Sequence, residues 1–197
     1  MKHQLERIST LFSGVSNKVY SEKEIPNSKE VILLTGNNLT HDGIISLEDA
    51  IKVFITDSEK LEKVLLKEND VILLARGPAI RAGIVSKEMA AQGVVANANF
   101  IIIRPDESQV KGEMLVAYFN SGYGHNQLMK LSKGAVIQHI PASILKTLEI
   151  PVPTNKFQKR IVEIYHASID AQQSTMELLK QQKKTSNAMI LNLIHEA

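Results

Sequence analysis

Apolar residues in this chain come in short, strand-length runs as far as Pro153. Beyond it they are spaced through a tract, Thr154 to Ala197, that contains neither Pro nor Gly. Val31-Ile-Leu-Leu-Thr35 predicts a first strand ending in the turn-prone Gly36-Asn37-Asn38. His41-Asp42-Gly43 offers a hairpin turn into Ile44-Ile45. Leu47 to Leu66 has no clean period and reads as a strand plus a loop or short helix. Lys67-Glu-Asn-Asp70 is a polar break before Val71-Ile-Leu-Leu-Ala75, a continuous apolar run expected to be a strand buried on both faces. Arg76 to Gly83 reads as a glycine-containing loop, followed by a short return strand at Ile84-Val85. Val94-Val95 and Phe100-Ile-Ile-Ile-Arg104 are further strands, separated by Asn97-Ala-Asn99. Met114, Leu115, Ala117, Tyr118 and Phe119 give residues 112–121 the broad apolar face of a helix. Ala135 to Ile140 predicts another strand, and Pro141 to Lys146 one or two helical turns.

Many short strands with few helices predict an α+β fold, a curled mixed β-sheet domain over residues 1–153 followed by a long C-terminal α-helix over 154–197. The boundary falls at Pro151-Val-Pro153, because proline drives the residue before it toward extended conformations. Asn155 is expected to cap the helix, with Gln158 reaching back in a capping-box variant. A helix of that length spans about 60 Å and needs a partner, since its apolar seam is thin. Alternating steps of four and three from Ile161 give Tyr165, Ser168, Gln172, Thr175, Leu179, Gln182, Ser186, Met189 and Leu193. This coiled-coil seam is apolar at its ends and polar in the middle, and polar seam positions fix register at some cost in stability. The competing expectation is a shorter helix kinked near Lys183-Lys184 and packed on its own domain.

Composition narrows the class. With 44% hydrophobic and 22% charged residues the chain is ordinary for a globular protein, and it has no apolar run long enough for a membrane span. Met1 to Arg7 lacks the apolar core of a signal peptide. The absence of Cys excludes disulfides and thiolate metal sites and suits the cytoplasm. Charge is unevenly spread: residues 1–70 carry a net −3, residues 71–153 a net +3, and the tail a net +2. A basic middle and tail could meet phosphates through a local patch, or be ordinary surface scatter.

Catalytic motifs are missing. His3, His41, His125, His139, His166 and His195 are scattered without metal-ligand spacing. The chain has no phosphate-binding P-loop, dinucleotide fingerprint, nucleophile elbow or Asn-Pro-Pro-Tyr tetrad of adenine methyltransferases. No metal or cofactor is implied. What remains is a set of groups suited to nucleic acid: Arg76 and Arg81 on the glycine loop, Lys87 past the return strand, and Asn97 and Asn99 before a buried strand. Tyr123 and His125 follow the helix, and Lys130 and Lys133 precede a turn at Gly134. Arg pairs bidentately with guanine and Asn with adenine, while Lys positions phosphates. Each residue also has a plain reading as a solvated charge or a turn former.

Several segments, in order, resemble the specificity subunits of type I restriction–modification systems. They are Ile32 to Ile45, Leu65 to Gly77, Phe119-Asn-Ser121 with Ser132 to Gln138, and Leu148-Glu-Ile-Pro-Val-Pro153 with Gln158 and Ile161-Val162. Asn69 departs from the pattern, standing where that family usually has Gly; Asn tolerates the left-handed turn conformation. The resemblance implies a non-catalytic target-recognition domain that reads double-stranded DNA. It also implies a long helix that holds an N6-adenine methyltransferase subunit, with or without a restriction subunit. The usual subunit has two recognition domains and two long helices; this chain shows one of each. That implies a half-subunit pairing its helix antiparallel with a second copy, and so a palindromic, interrupted DNA site. The alternatives are a non-DNA adaptor whose helix binds other proteins, and a small enzyme with an unrecognised site. If the seam is right, Leu179→Glu weakens dimerisation, seen as loss of dimer mass in light scattering; an unchanged mass would show the register is wrong.

Overall fold

The computed structural model describes residues 1–132 and 137–195. Its elements follow in chain order. The first group is β1 (Lys2–Gln4), α1 (Leu5–Ile8), β2 (Ser9–Ser13), β3 (Lys29–Leu34), β4 (Ile51–Ile55), α2 (Ser58–Val64) and β5 (Val71–Leu74). Next come β6 (Arg76–Gly77), β7 (Arg81–Ile84), α3 (Lys87–Ala91), β8 (Val94–Ala96), β9 (Phe100–Pro105) and α4 (Gly112–Asn120). The last are α5 (Gly122–Leu131), β10 (Gln138–His139), α6 (Ala142–Leu145), β11 (Glu149–Pro151) and α7 (Asn155–His195). Two compact units result, Met1–Val162 and the remainder of α7 from Glu163.

In the first unit the strands form small sheets that are mixed overall. An antiparallel sheet runs β2-β9-β5-β7, and a second runs β4-β3-β8 with β3 antiparallel to β4 and parallel to β8. The run Val71–Leu74 is buried throughout, as its uninterrupted apolar character predicts, because it lies between β9 and β7. Its alternate residues Ile72 and Leu74, opposite Ile102 and Phe100, meet Leu34, Val94 and Ala96 of the second sheet in one core. Helix α4, with Met114, Leu115, Val116 and Phe119 buried, packs on β5 and β7. Val31, Leu33, Val53, Ile55 and Val95 point to the other side of the second sheet and meet Leu61 of α2.

A buried ion pair sits where these layers join. Asp70 is fully buried, and its carboxylate accepts from Arg104 Nε at 2.8 Å, from Arg104 Nη2 at 2.7 Å and from the Lys67 backbone N–H at 2.8 Å. Arg104 Nη2 also donates to the Leu65 carbonyl, and its guanidinium lies over the Phe12 ring at 5.2 Å. The break at 67–70 is a tight turn with Asn69 at φ +67°, a conformation Asn tolerates as Gly does.

The expected start of the long helix is altered. Asn155 is its first residue, and the Thr154 carbonyl accepts the first helical bonds, from Phe157 and Gln158 N–H. Gln158 does not close a capping box. Its side chain is buried and donates to the Gln109 and Pro153 carbonyls (2.9 and 3.1 Å) while accepting from the Lys111 N–H at 2.9 Å. The amide therefore joins the helix start to the loop before α4, a use that local spacing cannot show. Ribbon β1-β11, with Lys2 opposite Pro151, holds the same region from the chain's other end.

Arg104→Ala leaves the Asp70 carboxylate buried without its cation. It should cost about 3 kcal/mol, read from the urea midpoint. A loss below about 1 kcal/mol would mean that water or another donor replaces the guanidinium.

Candidate nucleic-acid interface

Strand β5 leaves the core at Leu74, and the next residues meet two other segments. The Ala75 and Arg76 N–H groups both donate to the Asn99 carbonyl, at 2.9 and 3.1 Å. The Asn97 side-chain oxygen accepts from the Asn99 N–H at 3.1 Å, so this turn before β9 is closed by its own side chain. On the other side β6 pairs with β10, Arg76 opposite His139 and Gly77 opposite Gln138. Directly opposed residues of an antiparallel pair present their side chains on one face, which makes Arg76 and His139 neighbours.

The polar atoms of this corner are not all satisfied. Gln138 Oε1 and His139 Nδ1 are shielded from water, and neither has a hydrogen-bond partner among the described residues. Such an orphan costs about 1–3 kcal/mol and calls for an explanation. With the exposed Arg76 beside them and Asn97 and Asn99 next along the edge, the corner offers the donors and acceptors that base edges match. Gln138 and His139 were not singled out from the sequence; the only local signal is a polar pair closing an apolar run.

The other predicted residues go elsewhere. Arg81 is not on a loop. It opens β7, opposite Leu74, and its half-buried guanidinium donates from Nε to the Leu39 carbonyl (2.8 Å) and from Nη2 to that of Gly36 (2.7 Å). Burial lowers its pKa from the ordinary arginine value. It therefore clamps the turn after β3, which Asn38 stabilises by accepting from the Thr35 N–H (2.8 Å) and donating to the Ser46 carbonyl (3.2 Å). The turn predicted at His41-Asp42-Gly43 is present, closed by bonds from the Gly43 N–H to the Thr40 carbonyl and from the Thr40 N–H to the Ile44 carbonyl, with Gly43 at φ +85° where a β-carbon would meet the Ala82 carbonyl. Lys87 begins α3 beyond Ile84, which pairs with Val71, so it lies past the opposite end of β7 from Arg81.

Tyr123, His125 and Lys130 belong to helix α5 and not to a loop. Ser121 caps that helix, its hydroxyl accepting from the Gly124 N–H at 3.1 Å. Two glycines in the first turn hid the helix from a propensity reading; Gly124 is required because the Tyr118 carbonyl occupies the place of a β-carbon. Tyr123 is exposed, with its ring edge-on to Tyr118 at 6.2 Å between centroids. Burial chiefly, and then Tyr123, raises the Tyr118 hydroxyl pKa. The α4 end beside α5 is held by Asn120, whose amide bonds both the N–H and the carbonyl of Ala82 (2.9 and 2.8 Å). Lys133, and the part of the predicted strand from Ala135 to Val136, lie outside the described residues.

On α7, Ile161 is half-buried within the first unit. Of the remaining seam, Tyr165 and Gln172 are partly covered, whereas Ser168, Thr175, Leu179, Met189 and Leu193 are exposed. Among the described residues no cluster of His, Asp and Glu could hold a metal ion, and no helix is long and apolar enough to cross a membrane.

Three solved structures share this fold. The S subunit of a type I restriction-modification system from M. genitalium is 14% identical, with a TM-score of 0.58 over 93% of this chain and 42% of that one. The HsdS subunit from Thermoanaerobacter tengcongensis is 14% identical, with a TM-score of 0.62 over 96% of this chain and 46% of that one. A chain from a study of complex assembly and conformational transition of the type I R-M system is 15% identical, with a TM-score of 0.65 over 93% and 45%. This chain thus spans less than half the length of the solved chains it matches. No curated protein is significantly similar in sequence. The family model described as type I restriction modification DNA specificity domain matches residues 5–185, and the chain belongs to that family.

Proposed function

We propose that this chain is a non-catalytic specificity subunit: it reads double-stranded DNA and directs a partner N6-adenine methyltransferase, and a restriction subunit where one is present, to the site it finds. The family match over residues 5–185 supports the class of function. The observation that supports the DNA-reading part is the corner at the end of β5, where the exposed Arg76 stands opposite His139 and next to the Asn97–Asn99 turn. An exposed guanidinium can pair bidentately with a guanine edge in the major groove. Residues 1–153 act as the recognition domain and 154–197 as a pairing and spacing helix. One recognition domain reads one half-site, so a homodimer through α7 reads a palindromic, interrupted sequence. The protein works in the cytoplasm with its methyltransferase.

Two measurements test this. Binding of the chain with its methyltransferase to genomic fragments at graded salt should show log K falling linearly with log salt, at a slope of about −0.9 per neutralised phosphate. A complex that forms without any DNA binding would support an adaptor role instead. Arg76→Ala should cost about 1–3 kcal/mol of binding and relax the methylated sequence at one base position, read by methylome sequencing. Arg81→Ala should instead lower the melting temperature and weaken all sequences alike, because it frees the turn at Gly36 to Leu39. The reverse pattern would exchange the two roles.

A further inference from the structure

We infer that Asn37, on the turn after β3, is a second base-reading side chain beside Arg76, and that its amide fits an adenine edge in the major groove. This rests on the proposal that the corner at the end of β5 reads DNA. Three strands end at that corner. Strands β3 and β8 run parallel with Leu34 opposite Ala96, so both enter their turns at the same edge. The Asn97 N–H donates to the Leu34 carbonyl at 2.9 Å and ties those two turns together. Strand β5 ends at Leu74, which Gly36 and Gly77 both approach: a β-carbon on Gly36 would lie 3.5 Å from Leu74 Cδ2, and one on Gly77 3.7 Å from the same atom. Asn37 and Arg76 each follow or precede one of these glycines. They are therefore near enough to meet neighbouring base pairs, which stack about 3.4 Å apart.

Every polar side chain from Thr35 to Thr40 but one is committed to holding the turn. Asn38 Oδ1 accepts from the Thr35 N–H at 2.8 Å and from the Thr35 hydroxyl at 3.0 Å, while Asn38 Nδ2 donates to the Ser46 carbonyl. The Thr40 hydroxyl accepts from the Ile44 N–H at 3.0 Å. Asn37 is exposed at the tip, and its amide has no hydrogen-bond partner among the described residues. In the sequence the two asparagines are equivalent turn formers. The fold separates them, burying Asn38 and presenting Asn37.

A free amide on a loose loop would be ordinary surface polarity. This turn is instead braced from within, since the half-buried Arg81 guanidinium holds the Gly36 and Leu39 carbonyls on either side of Asn37. A side chain presented on a braced turn loses little freedom when it binds, which favours affinity. The amide carries an acceptor oxygen and a donor nitrogen in one plane, the complement of the adenine N6 donor and N7 acceptor. Phosphate oxygens only accept, so a phosphate contact would leave the Asn37 oxygen without a donor.

Arg81 and Asn37 then have separate parts. Without Arg81 the turn must be ordered anew on binding, a cost that falls on every sequence alike, and Arg81 is a positioning residue. Without the Asn37 amide the turn keeps its shape, because none of its bonds passes through that side chain. Only the discrimination at one base pair is lost.

The test uses the full chain in complex with its methyltransferase. The probes are the site recovered by methylome sequencing and duplexes carrying each other base pair at every specified position. Asn37→Ala should weaken binding to the recovered site about ten- to a hundredfold. It should erase discrimination at one A·T pair, other than the pair that Arg76→Ala relaxes, and leave the melting of the first unit unchanged. Asn37→Asp, whose carboxylate only accepts, should move the preference at that pair from adenine to cytosine. Equal loss on every duplex makes Asn37 a phosphate contact, and no loss makes it plain surface; either result overturns the inference. A lowered melting temperature that accounts for the lost binding overturns it too. In those cases a base position still relaxed by Arg76→Ala leaves the proposed function standing. A native complex that binds none of the duplexes overturns the proposed function and this inference together.

Discussion

The Asp70–Arg104 pair fixes the strand β5 that leads to Arg76. A buried carboxylate is expensive unless paired and hydrogen-bonded. Here it is held by two guanidinium bonds and a backbone N–H, so β5 can start at one position only relative to β9. A slip by one residue would remove the carboxylate from its cation and turn the apolar faces of β5 over. From that start β5 runs to Leu74. That end is where Arg76, Asn99 and His139 come together.

Gln158 is a second constraint of the same kind, at the start of the long helix. A neutral amide bonded to three backbone groups satisfies the 109–111 loop and the Pro153 carbonyl without burying charge. Replacing it with an apolar residue would leave those groups unpaired in a site that water does not reach. Together with the β1-β11 ribbon, this explains why the first helical turns belong to the same compact unit as the sheets. Ile161 lies in a groove walled by Met1, Pro151 and Pro153 and by Met114 and Tyr118 of α4.

The fold does not by itself say what the corner at β5 does, since function resides in sites and not in architectures. Family membership supplies the class, and the exposed Arg76 opposite His139 marks the corner that the proposal rests on. Of the cations singled out in the sequence, Arg76 stays exposed next to that corner, whereas Arg81 has its guanidinium committed to two carbonyls. Two arginines five residues apart in a glycine-containing segment thus have different work, because they lie on different strands, Arg76 on β6 and Arg81 at the start of β7.

The sequence alone determined the elements whose signal is local. The apolar run Val71 to Leu74, the strand before Gly36, the left-handed turn at Asn69, helix α4 and the long helix after Pro153 all follow from burial pattern, turn chemistry and proline. It also determined the family, through motifs in a fixed order. Tertiary structure decided the rest. Helix α5 forms despite its glycines because Gly124 packs against α4, and α3 depends on a Ser86 cap. Strand β1 pairs with residues almost the whole first unit away. Among the described residues, Arg81 and Arg104 have all their hydrogen-bond partners, and Gln158 two of its three, 30 or more residues distant, so little in their neighbourhood could reveal which were surface groups and which held the core together.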